Sequence, residues 1–138
     1  MYNKIMVPVD LAHIDALEKS LQVAADLAQH FNAELCYVSV TTDIPGPVAR
    51  TPDEYEQKLN QFAKEQGLAH GRPVSAHVFL SHDPAVDLNE ILGKAITETG
   101  ADLVVMGTHL PRHLDAIMPA HGGQLAAHTN ASVFLVRP

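Results

Sequence analysis

Positive charge is the scarcest resource of this chain. Nine Lys and Arg stand against sixteen Asp and Glu over 138 residues, a formal net charge of −7. The basic residues are spread out, with no cluster that could face a phosphate backbone, which argues against duplex DNA and anionic membrane surfaces as partners. A phosphate-bearing ligand would have to be held mainly by backbone N–H groups and helix N-termini. Cysteine is nearly absent: Cys36 alone allows no intrachain disulfide and fits a reducing cytoplasm. No apolar run reaches the roughly 18 residues that a membrane-spanning helix needs, which excludes membrane insertion. The opening "MYNKIMVPVD" is too short in its apolar part and too soon acidic for a secretory signal. Catalytic signatures are missing too. There is no G-x-S-x-G around any serine, no P-loop lysine and no G-x-G-x-x-G.

Five apolar runs remain, and they read as strands: 4–9 "KIMVPV", 34–40 "ELCYVSV", 74–80 "PVSAHVF" (the proline being residue 73), 102–106 "DLVVM" and 132–136 "SVFLV". Several are short and almost continuously apolar, as expected of parallel strands covered on both faces. Helical patterns separate them. Residues 11–31 carry Ile14, Leu17, Leu21, Ala24 and Ala28 as one stripe. Residues 51–66 open on "TPDE", with Thr51 as N-cap, Pro52 in the first turn and Glu54 closing a capping box. Residues 83–99 open on "DP", with Asp83 as N-cap and Gly100 as the stop. A fourth, short pattern covers about 122–129. The segment 41–50, "TTDIPGPVAR", is an irregular connection because two prolines and a glycine interrupt it.

The order β-α-β-α-β-α-β-α-β predicts one α/β domain over 1–138, a parallel sheet with helices on both faces. Ligands of such sheets bind beyond the carboxyl ends of strands, where the strand order reverses. That rule directs attention to Pro8, Val9 and Asp10, Val40 and Thr41, Ser81 and His82, and Met106 and Gly107.

Three segments, "KIMVPVD" at the start, "GADLVVMGTH" at 100–109 and "HTNASVFLVRP" at the end, together resemble the universal stress protein family. The resemblance implies an open five-stranded parallel sheet of order 3-2-1-4-5 with its switch point between the first and fourth strands, beside Asp10 and Gly107. It also implies an adenine nucleotide there, ATP, with Mg²⁺ carried on the phosphates. Asp10 and Val40 would touch adenine or ribose, and Met106 and Gly107 would form the nucleotide wall. Binders in the family carry Gly-x-x-Gly, nine residues, then Gly and Ser or Thr. Glycines let the backbone approach phosphates, and the hydroxyl and helix N-terminus receive their charge. Here Gly107 matches the first glycine, Leu110 replaces the second, and no register restores Gly-Ser. Gly122 and Gly123 stand two or three residues past the place where that pair would fall and are the candidates to replace it.

Each candidate has a plainer role beside its functional one. Asp10 is an N-cap or a ligand contact, or both. Gly107 is a chain-reversal glycine or a point of close approach. His109 and His121 are candidate phosphate donors, and Arg112 is the fixed cation of the segment. The spacing of His109 and His113 is that of helical metal ligands, but Pro111 lies between them, so no metal site is expected. Cys36 reads as an inert core residue. The expected function is therefore a regulatory, non-catalytic nucleotide-binding dimer acting on a partner protein or transporter, with pairing through strand 132–136. The alternatives are a family member without nucleotide that acts as a dimeric interaction module, and a weak ATPase.

Overall fold

The near-continuous apolar runs become five parallel strands in the computed structural model, which describes residues 1–107, 125–126 and 129–138. They are β1 (Lys4–Pro8), β2 (Glu34–Thr41), β3 (Val74–Leu80), β4 (Leu103–Gly107) and β5 (Ser132–Val136). Their order in the sheet is β3-β2-β1-β4-β5, as expected, and every neighbouring pair is parallel. Helices α1 (Glu18–Phe31), α2 (Pro52–His70) and α3 (Pro84–Thr99) form the crossovers.

Alternation along the central strands feeds two cores. Ile5, Val7, Leu35, Tyr37, Leu103 and Val105 point to one face, where they meet Leu21, Ala24 and Ala28 of α1 and Leu59 and Ala63 of α2. Met6, Cys36, Val38, Val104 and Met106 point to the other, against Leu92, Ala95 and Ile96 of α3 together with Leu125. Strands covered on both sides have no polar face, which is why β1, β2 and β4 read as unbroken apolar runs.

Four local expectations are revised. The helix predicted over 11–31 is two objects: a 3-10 segment over Leu11–Leu17, kinked at His13 (φ −134°, ψ 42°), and then α1. The Asp10 carbonyl accepts the His13 N–H, and this tight turn displaces the α-helical pattern at its start. Helix α2 runs on to His70, beyond the expected end at 66, and Gly71 (φ 69°) stops it. Gly67 stays inside it because an added Cβ would lie 2.9 Å from the Arg72 carbonyl, so only glycine allows that approach.

The capping box is displaced by one residue. Thr51 Oγ1 accepts from the Glu54 N–H as expected, but the Glu54 carboxylate accepts from the Arg50 N–H. That backbone hydrogen bond holds the Glu54 carboxyl below its ordinary range. Asp83 occupies the cap position of α3 without a side-chain capping bond. Ser81 does the local work instead: its hydroxyl oxygen accepts from the Asp83 N–H and its O–H donates to Asp87. Gly100 ends α3 with φ 74°, as expected. The connection after Thr41 carries no helix or strand up to Thr51. Of the pattern at 122–129, residues 125–126 are helical and the remainder, except residue 129, lies outside the described residues.

Candidate functional site

Strand order reverses between β1 and β4, and the two strands part there. β1 is in register with β2 over five positions, up to Pro8 opposite Val38. With β4 the register covers Ile5 opposite Leu103 and Met6 opposite Val104. Pro8 supplies a reason. The Val9 N–H donates to the Val38 carbonyl on β2 (2.8 Å), and successive strand nitrogens point to opposite edges. The nitrogen of residue 8 therefore faces β4, and proline has no hydrogen to donate. The chain leaves β1 toward α1 on one face, while α3, on the other face, leads into β4. A crevice at the carboxyl ends of β1 and β4 follows.

One lip of the crevice is the 3-10 segment. It starts at Asp10, whose Oδ1 accepts from the Ala12 N–H (3.0 Å) and whose Oδ2 meets His13 Nδ1 (2.9 Å). The Leu11 N–H donates to the buried Tyr55 hydroxyl (3.2 Å), tying the lip to α2. At its far end Leu17, together with Ser20 in the first turn of α1, lies against Gly107 at the end of β4. A Cβ on Gly107 would stand 3.3 Å from Ser20 Oγ and 3.6 Å from Leu17 Cδ2. The lip thus bridges the two strand ends. Its outer surface carries an open depression of about 550 Å³ lined by Leu11, Ala12, His13, Ile14, Asp15 and Ala16.

The residues singled out from the sequence divide into three groups. Val9 and Met106 are 4 % and 3 % exposed and pack into opposite cores, so they underlie the site. The Ser39 hydroxyl also fixes the Val9 carbonyl. Pro8, Val40 and Gly107 are half-buried at the strand ends, and Asp10 is exposed at the lip. The third group, His109, Arg112, His121, Gly122 and Gly123, lies outside the described residues, as do Leu110, His113 and His128. His82 is exposed beyond the end of β3, the edge strand two positions from β1. Among the described residues no three His, Cys, Asp or Glu side chains gather to hold a metal.

Asp10 does cap the segment that follows it, the plainer of its two roles. Gly107 serves close packing against Ser20 and needs no left-handed backbone, since its φ lies outside that region. Burial pushes the Cys36 thiol up to about 11, and it sits fully inside the core as expected. Two participants escaped the sequence reading. Tyr55 reaches the lip from another helix, which no local pattern could reveal. His13, three residues after Asp10, was readable from its spacing, because side chains at i and i+3 meet across a tight turn.

The described residues suit the adenosine half of a nucleotide: Pro8 and Val40 offer apolar surface, and the Asp10–His13 pair offers polar contacts. Asp10 and Asp15 are poor company for phosphates, whose donors would have to come from residues at and beyond Gly107. In class, then, this is a doubly wound parallel α/β protein whose two central strands part at its switch point.

The chain belongs to the universal stress protein family, whose model matches residues 1–137. It is 23 % identical to universal stress protein G of Shigella flexneri over 148 aligned positions, covering 99 % of this chain and all of the relative. Similar folds include the universal stress protein of Archaeoglobus fulgidus in complex with dAMP (18 % identity, TM-score 0.63, 97 % of each chain). A universal stress protein family protein of Arabidopsis thaliana with AMP bound is also similar (14 % identity, TM-score 0.64, 98 % of this chain and 91 % of that one). Among the described residues no helix is long and apolar enough to cross a membrane.

Proposed function

We propose that this protein binds an adenine nucleotide, ATP, in the β1/β4 crevice and works as a regulatory, non-catalytic cytoplasmic dimer that modulates a partner protein or transporter. The observation that carries the reading is the parting of β1 and β4 beneath a lip that joins their ends. The two relatives of like fold that hold AMP and dAMP support an adenine nucleotide as occupant. Pro8, Val40 and Asp10 would face the adenosine moiety. His109, Arg112, His121, Gly122 and Gly123 would receive the phosphates, which would carry any Mg²⁺. Dimerisation would use β5, an edge strand with Phe134 45 % exposed.

A second reading is a dimeric interaction module without nucleotide, favoured by Leu110 in place of the second glycine and by the lost Gly-Ser. Equilibrium titration of nucleotide-free protein with ATP, ADP and AMP, with and without Mg²⁺, decides between them. Saturable binding supports the first reading. Its absence at millimolar nucleotide removes it and leaves the second. Turnover surviving repurification would make the protein a slow ATPase instead. A single-subunit mass at high concentration would sink the dimer.

A further inference from the structure

We infer that Ser39 and Tyr55 are positioning residues for the nucleotide: from two other elements they fix the backbone on both sides of Asp10, the side chain that meets the ligand. This deepens the nucleotide reading and rests on it. Asp10 is the second residue after β1, exposed at the lip and extended in backbone (φ −108°, ψ 108°). Its carboxylate makes one hydrogen bond through each oxygen, to the Ala12 N–H and to His13 Nδ1, and keeps a free acceptor site on each. How well such a group serves a ligand depends on how firmly the chain beneath it is held.

A peptide unit is rigid, so the conformation of Asp10 is set by the two peptide planes that flank it. The first plane carries the Val9 carbonyl, which accepts from the Ser39 hydroxyl on β2. The second carries the Leu11 N–H, which donates to the Tyr55 hydroxyl on α2 (3.2 Å). It also carries the Asp10 carbonyl, which accepts from the His13 N–H (3.0 Å). Both planes are thus pinned, by residues 30 and 44 positions away in the chain. The anchors are themselves held in the core, Ser39 at 1 % and Tyr55 at 7 % exposure. The register of β1 with β2 ends at Pro8 opposite Val38, so beyond it a side-chain hydroxyl takes over from the ladder at the Val9 carbonyl. A buried serine in an otherwise apolar strand is costly unless its hydroxyl is bonded, and the Val9 carbonyl accounts for this one.

The test is a double-mutant cycle read as equilibrium affinity for AMP and ATP. Tyr55→Phe keeps the buried ring and removes the hydroxyl. It should weaken both nucleotides by a common factor of about 3–10, since the lip meets the adenosine moiety they share and one hydrogen bond is lost. Asp10→Ser keeps a capping oxygen for the first turn and withdraws the carboxylate. In that background Tyr55→Phe should change affinity by less than about twofold, because no carboxylate remains to be positioned. Ser39→Ala should behave in the same way, measured on protein whose urea transition shows it folded. Amide hydrogen exchange reads the hold on the lip without nucleotide: the Leu11 N–H should exchange faster in Tyr55→Phe, with the amides of β2 and β4 unchanged. If the wild type binds nucleotide and Tyr55→Phe keeps its affinity, this assignment is wrong while the nucleotide reading stands. An equal loss in both backgrounds also overturns it, because Tyr55 then acts by a route other than Asp10. So does a wild-type Leu11 amide that exchanges as fast as in an unstructured chain. A wild type that binds no nucleotide removes both.

Discussion

Substituting Gly107 separates two reasons for a glycine at the end of β4. The family resemblance makes it a point of ligand approach, whereas the structure gives it a packing role against the start of α1. A Cβ there would meet Ser20 Oγ at 3.3 Å, tighter than ordinary contact by a few tenths of an ångström, and Leu17 Cδ2 at 3.6 Å. Gly107→Ala therefore demands a small shift of the Ser20 hydroxyl, which donates to the Leu17 carbonyl (2.9 Å). Against that, losing glycine's freedom in the unfolded chain contributes about 0.4–1 kcal/mol of stability where the backbone suits alanine. The net change should be within about 1 kcal/mol of zero. Gly107→Val adds two further methyl groups in the same space and should cost about 1–3 kcal/mol through overpacking. Urea denaturation reads this as a lower midpoint at unchanged slope, by roughly 1 M for a slope of about 2 kcal/mol/M. Combining Gly107→Val with Ser20→Ala should recover part of the loss, because the two positions touch. A valine variant as stable as the wild type would refute the packing argument. If that variant also lost nucleotide, the glycine would be there for the ligand.

Tyr37 is fully buried and, among the described residues, its hydroxyl has no hydrogen-bond partner. Tyr37→Phe should therefore leave stability unchanged or raise it by about 1 kcal/mol in chemical denaturation. Burial pushes the Tyr37 phenol from 10.0 up to about 12. The folded state thus keeps the neutral ring where the unfolded chain ionises, and stability present below pH 10 falls as pH rises toward 12. Tyr37→Phe should remove roughly 2–3 kcal/mol of that alkaline loss, and an identical alkaline profile in the variant would contradict it. At the other end of the sheet, the Asp102 carboxylate accepts from the N–H groups of Asn3 (2.9 and 3.1 Å) and Lys4 (3.0 Å). Asp102→Ala should cost about 1–3 kcal/mol, with Asp102→Asn losing less; equal stability in all three would mean solvent replaces the clamp without penalty.

What could be read from the sequence follows the range of the interactions involved. The strands were legible because each central one is buried on two faces and so carries an unbroken apolar signal. Strand order came from the resemblance; apolar periodicity does not encode it. The start of the first crossover was misread because Ile14 and Leu17 fit a helical stripe. The stripe says nothing of Asp10, whose turn to His13 wins locally. Asp83 holds the cap position without its side chain: its backbone carbonyl accepts from the Val86 and Asp87 N–H groups. Gly107 was recognised as important, but its partner Ser20 sits on another element, and only the folded chain brings them together. The residues proposed to receive phosphates, His109, Arg112, His121, Gly122 and Gly123, lie outside the described ones, so that proposal rests on the sequence pattern.

That division makes the ratio of ATP to AMP affinity informative. The lip around Asp10 and His13 would meet the adenosine moiety in both ligands and cancels in the comparison. What remains is the pull of residues at and beyond Gly107 on two additional phosphates, set against a chain of net charge −7. If His109, Arg112, His121 or the Gly122–Gly123 backbone engages them, each charge-assisted hydrogen bond contributes about 1.5–3 kcal/mol, and ATP should bind at least about tenfold more tightly than AMP. If Leu110 and the missing Gly-Ser have dismantled that half, the extra charge gains no donors and meets only repulsion. AMP then binds as well as ATP or better, most clearly at low salt, where screening is weakest. A tenfold preference for ATP that vanishes in Gly122→Val/Gly123→Val would place the lost Gly-Ser function on that pair. The same preference surviving both substitutions would assign it to Arg112 and the histidines.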